Sequence, residues 1–413
     1  HDMKRHLIIG NGIAALSAAL AIREHSTDPV TIISTGQAVA YAPMLTPYYI
    51  SGKIPYDAMF LCDTSFYHQK NIKTKLGNAA VKLDPTARKV YLRNGSTVDY
   101  DNLLIATGSH PVRIPVEGCD LPGVHTLYTV RAARHIKESL PRANTVAILG
   151  AGLIATYLMD TLHLMRKRVI VIEARRRVLQ AILDLDGSLI LQERMKRKGI
   201  ELYLERKVSR IEDADGHKRL YLDDSVILEV DAVIMAAGSE PNISMVRDSG
   251  IKLGQRIPVD ESCRTNIPDV YAAGDVTETI DPITGNYQAN PTWISAVMQG
   301  RTAGFNMAGL NMQLPRLVKA NIFSLFGLSV ASIGLISSES QRYETILNRE
   351  QSEYRCIYTR GDQLVGAVLM GDVTETGLIR QLIEKGTSWP RLWRETGQTA
   401  FALQGLIRSP QMA

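Results

Sequence analysis

Arg5-His6-Leu7-Ile8-Ile9-Gly10-Asn11-Gly12-Ile13-Ala14-Ala15 is an apolar strand that runs into two glycines and a small-residue helix. Thr145-Val146-Ala147-Ile148-Leu149-Gly150-Ala151-Gly152-Leu153-Ile154-Ala155 repeats the pattern. After the first copy come a helix over Leu16 to Ile22 and a strand over Val30 to Ile33. After the second come another helix and a strand over Val169 to Ile172 that ends in Glu173. One G-x-G-x-x-(G/A) motif is weak evidence. Two copies, each with a strand before and a helix after, predict a duplicated dinucleotide-binding architecture.

The chemistry of the two copies is the same. Gly10 and Gly150 allow a tight turn, and Gly12 and Gly152 let backbone N–H groups approach a pyrophosphate. The small Ala15 and Ala155 let each helix pack closely on its strand, so that its N-terminus points at the anion; Leu153 and Ile154 open the second helix there. The residue ending the second strand of each unit is expected to meet an adenosine ribose. Glu173, 21 residues past Gly152, suits NAD, since a carboxylate repels a 2′-phosphate. Arg175, Arg176 and Arg177 pull toward NADP, which stays the second choice. The matching place in the first copy is Ser34-Thr35, with no acid, which leaves that ribose to hydroxyls or backbone. A second echo closes each half. Asp101 to Ser109 includes Ala106, Thr107 and Gly108, and Asp231 to Ser239 includes Ala237 and Gly238.

The 413 residues predict two or three domains. With 45% hydrophobic and 22% charged residues, the composition sets aside disorder, collagen and coiled coil. A net charge of +5 gives no argument for nucleic acid. Residues 161–200 carry ten Lys/Arg against four Asp/Glu, either as a solvated helical face or as a surface for an acidic partner or anionic cofactor. Cys62, Cys119, Cys263 and Cys356 are dispersed, without CxxC or CxxxxC spacing; they predict a reduced, cytoplasmic protein and offer no metal site. No apolar run reaches the length of a membrane span. Ile322 to Ile336 is read as buried strands, and His1-Asp2 as a remnant preceding Met3, with no signal peptide expected.

These motifs resemble the FAD- and NAD(P)-dependent pyridine nucleotide–disulfide oxidoreductase family, the glutathione reductase-like flavoproteins, over nearly all of 3–386. A third hallmark is Thr265 to Asp275, ending Tyr271-Ala272-Ala273-Gly274-Asp275. The resemblance implies that the first motif holds FAD and the second NAD(P)H. It also implies that Asp275 bonds the ribityl chain, and that the helix from Trp293 to Met307 points its N-terminus at the flavin. The implied fold is α/β, with two Rossmann-like dinucleotide-binding domains and a C-terminal α/β interface domain. FAD takes 3–111 and 244–313, NAD(P) takes 112–243, and the interface domain takes 314–413, pairing with itself or with another subunit.

Which branch of the family applies turns on what is missing. Tyr41 to Gly52 has no cysteine, and Met44 stands where a single redox cysteine would fall. A thioether forms neither thiolate nor mixed disulfide, so disulfide reduction is excluded. No His follows His217, so the acid–base pair of the disulfide reductases is missing too. The pattern Tyr41-x-x-x-Leu45-Thr46-Pro47-x-x-x-x-Gly52 is closer to rubredoxin and ferredoxin reductases. Pro47 and Tyr157 replace the Lys and Glu of the oxygenase-type reductases. Tyr157 is either a cover for the flavin face or core packing. No catalytic side chain is expected beyond the flavin, with Tyr157, Pro47 and Met44 near it.

Three functions follow. The first is an electron-transfer subunit that moves hydride between NAD(H) and FAD and single electrons between FAD and an iron–sulfur partner. It resembles the FAD subunits of aldehyde and 2-oxoacid oxidoreductase complexes. The second is a stand-alone NADH oxidase or quinone-type diaphorase, and the third a non-catalytic scaffold. Trp389 and Trp393, beside Arg391 and Arg394, read either as a docking tail or as intrachain packing.

Overall fold

The computed structural model describes residues 3–223, 225–336, 341–348 and 353–388; within 341–348 the only side chain described is that of Arg342. The tail with Trp389 and Trp393 lies outside the described residues. The chain forms two compact units. Among the described residues one comprises those within 3–112, 128–135 and 239–317, and the other those within 113–127, 136–238 and 318–388.

The first unit is built on a five-stranded parallel sheet in the order Val270–Ala272, Asn102–Ile105, His6–Ile9, Val30–Ser34, Ile72–Leu76. His6–Ile9 is buried along its whole length, as expected of a strand covered on both faces. Its helix, Ile13–His25, packs on the helix Trp293–Met307 through backbone contacts. A Cβ at Gly300 would collide with the Ala14 carbonyl, and one at Gly304 with the Ala18 carbonyl. With Ala15, Ala18, Ala19 and Ala303 fully buried, these positions form a seam of small residues.

The second unit repeats the sheet, in the order Glu201–Leu204, Arg168–Glu173, Thr145–Leu149, Ala232–Met235, Val124–Thr126, again all parallel. Its helix Leu153–Leu164 follows the second glycine pair. This unit also holds a five-stranded antiparallel sheet of Ala320–Leu325, Leu328–Gly334, Gln363–Met370, Glu353–Arg360 and Gln341–Asn348, in that order, covered by the helix Thr376–Glu384. There Ala320–Leu325 and Leu328–Gly334 make a hairpin with Phe326 and Gly327 at φ +48° and +77°, the geometry of a two-residue turn with both residues left-handed. The expectation of buried strands over Ile322 to Ile336 holds for Leu328–Gly334 and needs correcting for the strand before it. Ala320–Leu325 is an edge strand with one solvated face, and Ile322 on that face is exposed. Among the described residues no helix is long and apolar enough to cross a membrane.

The helix seam makes a sharp prediction. Gly304→Ala should destabilise the first unit by about 2 kcal/mol through overpacking, seen as a fall of several degrees in thermal midpoint. Ala303→Gly, its neighbour, should cost less.

Candidate functional site

In both motifs the first glycine is required by the neighbouring strand as well as by the turn. Gly10 has φ +118° and Gly150 φ +110°, and a Cβ would collide with the carbonyl of Ala106 or Ala236 respectively. Gly12 and Gly152 are different. Each is the extended N-cap of its helix, and a Cβ on either would meet nothing within 4 Å. That open space faces the N-termini of Ile13–His25 and Leu153–Leu164, where unpaired N–H groups and the helix dipole favour an anion. Ala15 and Ala155 are fully buried beneath. The residues therefore fit a pyrophosphate in each half.

The loop after each second strand is tied back to its glycine turn, by different means. In the first motif Asn11 Nδ2 donates to the Ala38 carbonyl at 3.2 Å, and Asn11 Oδ1 accepts from the Tyr67 hydroxyl at 2.8 Å. Ser34 Oγ accepts from the Gly36 N–H, and Thr35 is exposed. In the second motif Glu173 Oε2 accepts from the Ala151 N–H at 2.7 Å, and Oε1 from the Arg175 N–H at 2.8 Å. The three arginines beyond it are not equivalent. Arg177 donates to the Leu183 carbonyl and to Ser188, and Arg176 pairs with Glu205 at 3.4 Å in solvent. Arg175 is exposed, and its guanidinium makes no hydrogen bond or ion pair among the described residues. The local positive charge is also partly spent inside the unit, since Arg168 pairs with Glu201, Arg197 with Glu193, and Arg194 donates to Phe326.

Asp275 follows Gly274, whose φ is +85°. Asp275 Oδ2 accepts from Ser109 Oγ at 3.1 Å and from Tyr128 Oη at 3.3 Å, while Oδ1 has no hydrogen-bond partner among the described residues. Burial and the nearby Asp275 carboxylate push the Tyr128 phenol up to about 12, so it remains a donor at neutral pH. Two supports were not assigned from sequence. Gln299 Oε1 accepts from the Gly274 N–H at 2.8 Å and from the Thr277 hydroxyl at 2.7 Å, which fastens the Asp275 turn to the helix Trp293–Met307. Asn242 exchanges hydrogen bonds with Thr107, its Nδ2 to the Thr107 carbonyl and Thr107 Oγ1 to its own carbonyl, both at 2.8 Å. Ser109–Pro111 and Ser239–Pro241, which begin where the two echo strands end, pair antiparallel. No local pattern announces Gln299 or Asn242, because their partners are distant in sequence.

The other expected residues fall as follows. Trp293 opens its helix behind the N-cap Thr292. On the segment 43–50, Met44 is exposed and Pro47 buried, both in the first unit. Tyr157 is half-buried on the helix Leu153–Leu164 of the second. Gly108 and Gly238 have φ +65° and +107° and directly precede the short strands Ser109–Pro111 and Ser239–Pro241. Ala237 is exposed beside the second motif. None of the four cysteines is in a disulfide; Cys263 is buried, which pushes its thiol well up, and none lies on 41–52.

Residues 4–300 match the family described as Pyridine nucleotide-disulphide oxidoreductase, and residues 320–387 match the Rubredoxin NAD+ reductase C-terminal domain. An NADH oxidase of Methanocaldococcus jannaschii is 31% identical over 369 residues, 86% of this chain and 82% of that protein. The epsilon subunit of NADH-dependent phenylglyoxylate dehydrogenase from Aromatoleum evansii is 27% identical, covering 93% of this chain and 92% of the subunit. A solved NAD-dependent persulfide reductase from A. fulgidus superposes with a TM-score of 0.88 at 26% identity, over 94% of this chain and 78% of that one.

Gln299→Leu should leave the Gly274 N–H unpaired in the core, while the Thr277 hydroxyl keeps the Gly274 carbonyl as its acceptor. A loss of about 2–4 kcal/mol is expected in chemical denaturation, together with weaker retention of bound flavin.

Proposed function

Because the chain belongs to the pyridine nucleotide–disulphide oxidoreductase family, we propose that it is an FAD-dependent NAD(H) oxidoreductase acting as an electron-transfer subunit. It links a two-electron exchange with NAD(H) to one-electron exchange with an iron–sulfur partner. The observation that carries this reading is the pair of open glycine cradles at Gly12 and Gly152, combined with a segment 41–52 that holds no thiol.

FAD is assigned to the first unit, at Gly10, Gly12, Ala15, Ser34, Thr35, Ala106, Thr107, Gly108, Gly274, Asp275 and Trp293. When bound, FAD supplies the conversion between two-electron and one-electron chemistry. The chain supplies binding and orientation. The N-terminus of Ile13–His25 receives the pyrophosphate, Asp275 Oδ1 is available to accept from a hydroxyl, and the N-terminus of Trp293–Met307 offers its positive end to negative charge. NAD is assigned to Gly150, Gly152, Leu153, Ile154, Glu173, Ala237 and Gly238. Glu173, held by two backbone N–H groups, presents negative charge at the ribose end, and Arg176 and Arg177 are engaged elsewhere. NAD is therefore preferred, with Arg175 the group that would admit NADP. The domain division is FAD at 3–111 and 244–313, NAD at 112–243, and an interface domain at 314–413 that mediates oligomer or partner contacts.

The iron–sulfur partner is supported by the likeness of 320–387 to a rubredoxin reductase domain and by the phenylglyoxylate dehydrogenase subunit. A second reading, a stand-alone NADH oxidase, is favoured by the Methanocaldococcus relative. Four cysteines outside any disulfide support a reduced compartment such as the cytoplasm.

Anaerobic stopped-flow with NADH, followed by air, separates these readings. Rapid bleaching of the flavin band with slow recovery in air is expected. Equally rapid recovery would make the protein an oxidase, and no bleaching would end the proposal. NADH should reduce the flavin faster than NADPH, and Glu173→Ala should erode that preference by about tenfold, worth about 1.4 kcal/mol.

A further inference from the structure

We propose that the C-terminal antiparallel sheet positions the pyrophosphate turn of the second dinucleotide site, with Asp184 as the joint and Tyr354 and Tyr358 as positioning residues for pyridine-nucleotide binding. The inference rests on the assignment of the second motif to NAD(H).

The path begins at Ala151, between Gly150 and Gly152. Its N–H is held by Glu173, and its carbonyl accepts from the Leu179 N–H at 2.9 Å. The peptide groups of this turn are therefore set by the loop that follows the strand Arg168–Glu173. Leu179 sits at φ +52°, a left-handed conformation that a bulky side chain keeps only when its surroundings over-determine it. The loop has such surroundings. The N–H groups of Ile182 and Leu183 both donate to the Leu179 carbonyl, and Ser188 Oγ donates to Val178. Val178, Leu179 and Leu183 are buried.

The far end of this turn is held by the C-terminal sheet. Ser332 Oγ donates to the Ile182 carbonyl. Asp184 Oδ1 caps the helix Leu185–Arg197 through the Gly187 N–H at 2.9 Å. Asp184 Oδ2 accepts from Tyr354 Oη and, at 2.5 Å, from Tyr358 Oη. Both rings are buried, four residues apart on Glu353–Arg360, an even spacing that puts them on one face of the strand. Burial, reinforced by the Asp184 carboxylate, pushes both phenols well above their ordinary value, so they are donors at any working pH. Arg342 adds an ion pair to Asp186 at 2.6 Å and lies 3.6 Å from Asp184.

A nearly buried carboxylate is costly unless every lone pair is used. A purely apolar contact would join sheet and loop with less desolvation, but it would not fix the loop's register. Two hydroxyls converging on one oxygen of Asp184 do fix it, five residues from Leu179 and next to a turn closed by its own hydrogen bonds. The sheet acts as a supporting shell for a binding turn that it need not touch.

The test uses the full-length, FAD-loaded protein and ADP-ribose, which carries the pyrophosphate and adenosine ribose but cannot exchange electrons. Calorimetry on Tyr354→Phe/Tyr358→Phe should show binding weakened by about fivefold or more, with FAD content retained. In NADH kinetics the loss should fall on KM more than on kcat. Ser332→Ala, which removes the other tether, gives an independent reading if the double variant does not fold. Gly152→Val, which fills the cradle itself, is the control and should abolish binding. If the control abolishes binding while the tyrosine and Ser332 variants bind within about twofold of the parent, the relay is wrong and the NAD site stands. If Gly152→Val binds normally, the site assignment fails and the relay falls with it.

Discussion

The absence of a Cβ at Gly10 and Gly150 is the constraint on which both halves depend. In each, the turn leaving the first strand lies against the carbonyl that ends the neighbouring strand, Ala106 or Ala236, with no room for a side chain. That contact sets where the following helix starts, and hence where its unpaired N–H groups point. The second glycine serves the opposite purpose, leaving open the space into which an anion can move. One motif thus uses two glycines for two reasons, a filled contact and an open one.

What surrounds the turn differs between the copies because the ends of their second strands carry different chemistry. In the first half a neutral amide, Asn11, ties the turn to the Ala38 carbonyl and is itself held by Tyr67. In the second half a carboxylate, Glu173, takes the Ala151 N–H, and the Leu179 N–H takes the Ala151 carbonyl. Both arrangements hold the turn rigid before a ligand arrives. Only the second ends its strand in a carboxylate, so the two turns differ in charge although their backbones repeat.

The sheet behind Asp184 extends this logic outward. Binding loops are usually mobile, and a loop with a left-handed leucine at its centre would be costly to order on its own. Packing it against a separate five-stranded sheet moves that ordering into folding. The small-residue seam between Ile13–His25 and Trp293–Met307 does the same for the other site, because Gln299 on the second helix holds the turn that carries Asp275.

The repeated strand–glycine–helix units and the absence of a thiol at Met44 were legible in the sequence alone. Each of these is encoded locally, in the spacing of apolar residues, glycines and caps over a dozen positions. The tertiary structure decided the rest. It made Asn242 the partner of Thr107, Gln299 the anchor of Gly274, and Asp184 the meeting point of Tyr354 and Tyr358. It separated the three consecutive arginines into one exposed cation and two engaged ones, and turned the strand Ala320–Leu325 into a half-exposed edge. The partners of Thr107, Gly274 and Asp184 lie between 25 and 174 residues away. Hydrogen bonds over such distances depend on which strands become neighbours, and strand order is a property of the whole sheet, which no short stretch of the chain contains.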